Sequence, residues 1–147
     1  MKLKLYNSLS KSIEEFIPVE DNIVKIYSCG PTVYNFAHIG NLRSFLFADM
    51  LQKVMRVVGK YDVKWVMNIT DIDDKTIRDS KLGSKAWLEE MGEQTDSPKE
   101  NLRKFTEVYF NYFIDDISKI GIDIEDFYAI PFATDFIEEM QSLILKI

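Results

Sequence analysis

The chain has a single cysteine among its 147 residues, so no disulfide can form within it. That excludes a disulfide-stapled secreted domain and makes a reducing, cytosolic location the default expectation. Long apolar runs are also lacking: nothing approaches the ~18 residues a transmembrane helix needs. The N-terminal stretch MKLKLYNSLSKSIEEF mixes charged and apolar residues and holds no signal-peptide core. Positive charge is in deficit, with 18 Lys and Arg against 24 Asp and Glu and a formal charge of −6. The resulting pI near 4.8 argues against a general electrostatic nucleic-acid binder, though not against a local basic surface. There is no internal repeat, no Ser/Gly linker and no block of like charge. What is present is ordinary for a globular domain: 46% hydrophobic and 29% charged residues, in a length that suits one domain with a real core.

The pattern along the chain predicts an α/β fold. Leu3–Tyr6 suits an edge strand, and Ile23–Ser28 is a β-branched strand expected to stop at the breaker Cys29-Gly30-Pro31. A polar-aromatic loop over Thr32–Ala37 leads to a helix over Ile39–Val58. In it Phe47, Met50, Leu51, Val54, Met55 and Val58 share one face, widened by Leu42, Phe45 and Leu46. Gly59 suits the helix stop, and Val63–Asn68 reads as a second strand, which makes a strand–helix–strand unit with parallel strands. An acidic loop, Thr70–Lys75, follows, then a short helix and loop over Asp73–Trp87. Ser97-Pro98-Lys99-Glu100 is a helix start with a capping box, and that helix runs to Gly121. Thr134-Asp135 is expected to cap a last helix with Phe136, Ile137, Met140, Leu143, Ile144 and Ile147 on one face. Two parallel strands make a poor sheet, and the last apolar pattern has no stop signal. The chain therefore reads as the N-terminal part of something larger; the alternative is a small α/β domain with a frayed last helix.

Ligands in open α/β sheets bind beyond the carboxyl ends of the strands. Two unusual segments fall there: SCGPTVYNFAHIGN after the first strand and NITDIDDK after the second. His38-Ile39-Gly40-Asn41 sits at a helix start, where free N–H groups and the helix dipole favour phosphate. Gly40 permits close approach, and His38 and Asn41 can add hydrogen bonds. Cys29 reads either as a buried small hydrophobe or as a metal ligand. Asp71, Asp73 and Asp74 read as a magnesium site, as helix caps or as a solvated loop. Phe105, Tyr109, Phe110, Tyr112 and Phe113 could stack on RNA bases, but their helical spacing favours core packing.

Cys29-Gly30-Pro31-Thr32-Val33-Tyr34, Ala37-His38-Ile39-Gly40 and Asn68-Ile69-Thr70-Asp71-Ile72-Asp73-Asp74-Lys75 together closely resemble the cysteinyl-tRNA synthetases. Leu5-Tyr6-Asn7-Ser8-Leu9 and Glu14-Glu15-Phe16 resemble that family's opening, so the likeness spans essentially all of residues 1–147. It implies the N-terminal part of a Rossmann-like class I catalytic domain, without the later catalytic half or the anticodon-binding region. The implied chemistry is ATP-dependent activation of L-cysteine and its transfer to tRNA(Cys) in the cytoplasm. The implied ATP-binding residues are Pro31, Thr32, Val33, Tyr34, Asn35, Phe36, Ala37, His38, Ile39, Gly40 and Asn41, with His38 and Asn41 catalytic. Gly30 and Thr70 would meet the cysteine, Cys29 would be the first protein ligand of a Zn2+ ion, and Mg2+ would accompany ATP. The physical appeal of zinc is that a pocket separates thiol from hydroxyl poorly, whereas the metal prefers soft sulfur. The chain departs from the family pattern in three ways: Asn41 replaces the last His of HIGH, no KMSKS-like segment is present, and no second Cys or His is available for zinc. A truncated module that does not turn over is one alternative. A related ligase joining cysteine to an amino sugar is another.

Overall fold

The computed structural model describes residues 3–147. A small hairpin comes first, β1 (Lys4–Asn7) pairing antiparallel with β2 (Ser12–Glu15). The sequence reading has β1 but not its partner, because Ser12–Glu15 is exposed throughout and carries no alternation. The main sheet has three parallel strands in the order β3 (Ile23–Thr32), β4 (Asp62–Thr70), β5 (Phe127–Ala129). Helix α1 (Ile39–Val57) connects β3 to β4, and α2 (Asp74–Asp79) and α3 (Pro98–Lys119) lie between β4 and β5. Helix α4 (Ile137–Ile144) comes last. This is the strand–helix–strand unit expected, with one strand more than the sequence reveals.

β4 is the central strand and its pattern is a strict alternation. Val63, Trp65, Met67 and Ile69 are buried, while Lys64, Val66, Asn68 and Thr70 are half-buried. Trp65 stacks on Phe127 at 4.0 Å and donates from Nε1 to Ser28 Oγ at 2.9 Å, so one side chain joins all three strands. On α3, Phe105, Tyr109, Phe113 and Ile117 are buried, which settles these aromatics as core. Phe113 meets Phe45 of α1 edge to face at 5.1 Å. Ser97 caps α3, accepting from Glu100 N, but the expected capping box does not close: Ser97 N donates to Thr95 Oγ1, which itself donates to the Glu100 carboxylate. Gly121, with φ of +86°, turns the chain out of the helix.

Four expectations need correction. First, β3 does not stop at Ser28 but runs on through Cys29, Gly30 and Pro31 to Thr32, and β4 runs to Thr70 rather than Asn68. A shift in register between Cys29 and Thr32 accommodates Pro31, which has no N–H to give a ladder. Second, β5 is only three residues long, too short to show a period. Third, Thr134-Asp135 does not cap an α-helix: the segment Ala133–Phe136 is a 3-10 turn, α4 starts at Ile137, and none of its residues is buried. Fourth, the apolar stripe assigned to α1 is rotated. Its buried residues are Phe45, Ala48, Asp49, Gln52 and Met55, whereas Phe47 and Met50 are 67% and 60% exposed.

The rotation has a polar cause. Gln52 Nε2 donates to Asp49 Oδ1 and to Asp126 Oδ2, both at 3.1 Å. Arg56 donates to Asp126 Oδ1 and to its backbone oxygen, each at 2.7 Å, and Lys53 donates to Asp49 Oδ2 at 2.8 Å and to Gly121 O at 3.1 Å. These bonds turn the polar side of α1 inward toward the turn before β5. Burying such groups costs least when they are paired, as all are here but the buried Gln52 Oε1, and a count of apolar residues cannot foresee pairing across more than 70 positions. Phe45→Ala is therefore expected to cost about 3–5 kcal/mol and Phe47→Ala about 0.5 kcal/mol or less. Urea unfolding of the two variants checks this; the reverse order would restore the stripe read from the sequence.

Candidate active site at the carboxyl ends of β3 and β4

The site begins where two backbones nearly touch. Cys29 pairs with Asn68, and a Cβ built on Gly30 would lie 1.9 Å from the Asn68 carbonyl oxygen, so only glycine fits. Gly30 N donates to Asn68 Oδ1 at 3.3 Å, Asn68 Nδ2 donates to Thr70 Oγ1 at 3.3 Å, and Val33 N donates to Thr70 O at 3.1 Å. The strand ends thus bring Cys29, Gly30, Thr32, Asn68 and Thr70 side by side. The Cys29 thiol is exposed, which sets aside its reading as a buried small hydrophobe.

From Val33 the chain crosses to the start of α1. Val33 is buried and its side chain belongs to the core. Tyr34 lies under the Lys75 ammonium, 4.6 Å from ring centroid to Nζ, and Lys75 donates to its hydroxyl at 3.3 Å. This cation–π contact joins the first motif to the second. Asn35 Oδ1 accepts from Phe36 N at 2.8 Å. Pro31 and Thr32 are half-buried at the end of β3, and Ala37 packs against the core.

His38 is the N-cap of α1, with φ −83° and ψ 149°. Its Nδ1 accepts from Gly40 N at 3.1 Å, and its backbone N donates to Asn41 Oδ1 at 3.3 Å, a reciprocal capping box. The Gly40 N–H is thus spent on the histidine rather than left for a ligand. That bond also sets the tautomer: with Nδ1 accepting, the neutral imidazole carries its proton on Nε2. What the box leaves to give are the Nε2–H of His38 and the amide NH2 of Asn41, both on exposed residues at the positive end of a helix with no acid in its first turn. Asn41 uses its oxygen for the cap and keeps its amide donor, at the position where the motif of the resembled family ends in His. A Cβ at Gly40 would sit 3.3 Å from His38 Nδ1, against the ring that the cap must hold.

The acidic motif is committed to structure. Asp71 is buried and accepts from Thr134 N at 3.0 Å and from Thr134 Oγ1. Asp73 caps α2 by accepting from Lys75 N and Thr76 N at 2.8 and 2.9 Å. Asp74 is exposed in the first turn of α2. Among the described residues no three His, Cys, Asp or Glu side chains are grouped to hold a metal ion. Cys29 is therefore not part of a three-ligand group among the described residues, and these residues do not make a zinc site by themselves. Three partners escaped the sequence reading, namely Thr134, Lys75 as the mate of Tyr34, and Asn68 as the bridge between strands. Only proximity in the fold identifies them, although Asn68 and Lys75 lie within the motif itself.

With a parallel sheet, a glycine-tight strand crossing and an anion-favouring helix start beyond it, the features are those of a nucleotide-binding α/β catalytic domain. The family described as tRNA synthetases class I (C) catalytic domain matches residues 15–147, and the chain belongs to that family. Within it, the chain is similar to proteins named cysteine–tRNA ligase. It is 44% identical to that of Leptospira interrogans over 147 residues, all of this chain and 27% of that protein. Identity is 40% over 147 residues to that of Solibacter usitatus, again all of this chain and 28% of the relative. It is 41% over 145 residues to that of Methanosarcina mazei, covering 99% of this chain and 27% of the relative. The chain thus spans about a quarter of the length of these relatives. Among the described residues no helix is long and apolar enough to cross a membrane.

Gly30→Ala is expected to lower stability by about 1–3 kcal/mol, because the strand backbones must part to admit the methyl group; an unchanged unfolding midpoint would show a looser crossing. Zinc is expected to dialyse away from the purified chain, since one thiolate stands where a closed site takes about four ligands. Metal analysis after chelator treatment checks this, and one retained zinc per chain would contradict it.

Proposed function

We propose that this chain is the N-terminal, ATP-engaging part of a cysteine–tRNA ligase that works in the cytoplasm. The single observation that carries the reading is the His38–Asn41 box, which leaves two exposed residues with a free hydrogen-bond donor each at the helix start that follows β3. The names of the relatives support the same reaction. In it the carboxylate of L-cysteine attacks the α-phosphorus of ATP, taken as its Mg2+ complex. A C–O–P link forms, the α–β phosphoanhydride bond breaks, and pyrophosphate leaves. A terminal ribose hydroxyl of tRNA(Cys) then takes the cysteinyl group as an ester, and AMP leaves.

His38 Nε2–H and the Asn41 NH2 donate to phosphate oxygens, where charge builds during the first step, and the α1 dipole adds to them. Gly30 and Thr70 stand where the amino acid would lie. A zinc ion held through Cys29 would need donors from outside the described residues, so no step is routed through it.

The test is cysteine-dependent exchange of labelled pyrophosphate into ATP by a ligase carrying this sequence. Asn41→Asp keeps an oxygen for the cap but puts negative charge where a donor stood. Exchange is expected to fall on the order of 10²–10³-fold, while thermal stability holds or rises because an acid suits a helix start. Exchange at the wild-type rate would remove Asn41 from the phosphate site. Exchange supported by no cysteine at all would overturn the reaction.

A further inference from the structure

We infer that Tyr112 of α3, held by Glu90, is a positioning residue that seats Phe36 and thereby sets the His38–Asn41 end of α1. The inference rests on the reading of that end as the nucleotide site. Phe36 is 52% exposed, yet its ring meets two partners edge to face: Tyr112 at 4.9 Å and 65°, and Tyr109 at 5.4 Å and 79°. An aromatic ring half in water is ordinarily free to move; this one is braced. It therefore does not present itself to a ligand as a loose side chain would, although it lies within the motif.

The brace rests on firm ground. Tyr109 is buried and packs on Phe105 at 5.0 Å, in the core of the domain. Burial pushes its hydroxyl above the ordinary tyrosine range. Tyr112, one turn further along the same helix, donates its hydroxyl to the Glu90 carboxylate. That bond holds the Tyr112 hydroxyl up and the Glu90 carboxyl down from their ordinary values. Glu90 belongs to the 3-10 turn Glu89–Met91, and Met91 is buried. The ring of Tyr112 is thus fixed from α3 below and from the turn beside it.

Phe36 lies two positions before His38, a reach of at most ~7 Å of extended chain. A ring seated in the brace limits where the backbone two residues on can lie, and so restrains the cap residue on which the box depends. The other fastenings, at Val33 and at Tyr34, hold the loop where it leaves β3. Phe36 holds it where it enters α1, and so helps to keep the His38 Nε2–H and the Asn41 NH2 in place. Tyr112 and Glu90 need not touch nucleotide to affect its binding.

The experiment uses the 147-residue chain, with ATP and inorganic pyrophosphate as probes and the amide signals of Gly40 and Asn41 as the readout by NMR titration. The two ring contacts together hold the docked loop by about tenfold. Tyr112→Ala removes one of the two contacts and is accordingly expected to weaken ATP binding by about threefold with little change in melting temperature. Tyr112→Phe, which keeps the ring and loses only the bond to Glu90, is expected to recover most of that loss. Phe36→Ala removes both contacts and should cost about tenfold, and adding Tyr112→Ala to it should cost little more. If the wild-type chain binds ATP and Tyr112→Ala binds it equally well, the positioning role is wrong while the nucleotide site stands. If neither probe shifts the wild-type amides, the nucleotide reading itself falls, and this inference with it.

Discussion

The close approach of β3 to β4 at Gly30 is the constraint on which the site depends. Two parallel strands can come this near only where one of them has no side chain. The approach lets Asn68 bridge Gly30 N and Thr70 Oγ1, and it sends Val33 back onto Thr70. The same crossing leaves Cys29 and Thr70 at the carboxyl end of the sheet and delivers the chain to the start of α1 a few residues later. A looser crossing would separate the two motifs that the functional reading brings together.

Helix α1 does two jobs at its two ends, and both are polar. At its start His38 and Asn41 spend one atom each on the capping box and keep one donor each for a ligand. Toward its end Asp49, Gln52, Lys53 and Arg56 tie it to Asp126 and to the backbone near β5. The second set fixes the rotation of the helix about its axis, and so fixes where the first set points. Its outer face, with Phe47, Met50 and Val57, is consequently exposed in this chain.

The carboxylates of the second motif act as fasteners. Asp71 draws the segment before α4 to the end of β4, and Asp73 starts α2. Lys75, the residue that closes the motif, reaches back to Tyr34 in the first. Together with the ring pair at Phe36, these contacts hold the loop between β3 and α1 from several sides. Such support is what a site requires when it must keep donors pointed at a developing charge.

The sequence by itself determined the elements whose signal is local. α1 and α3 were legible from apolar recurrence and from Ser97, Gly59 and Gly121, β3 and β4 from β-branched runs, and the two motifs from their order and spacing. The candidate site residues could be named for the same reason, since His38 through Asn41 are contiguous and fall at a strand–helix turn. Tertiary structure alone decided what depends on partners far along the chain. The buried face of α1 follows Asp126, more than 70 residues away, and the true partner of Thr134 is Asp71. β5 becomes a strand because β4 offers it an edge, as three residues have no period of their own. Gly30 reads in sequence as a breaker, but in space it is the place where two strands must touch, and only the partner backbone makes that visible.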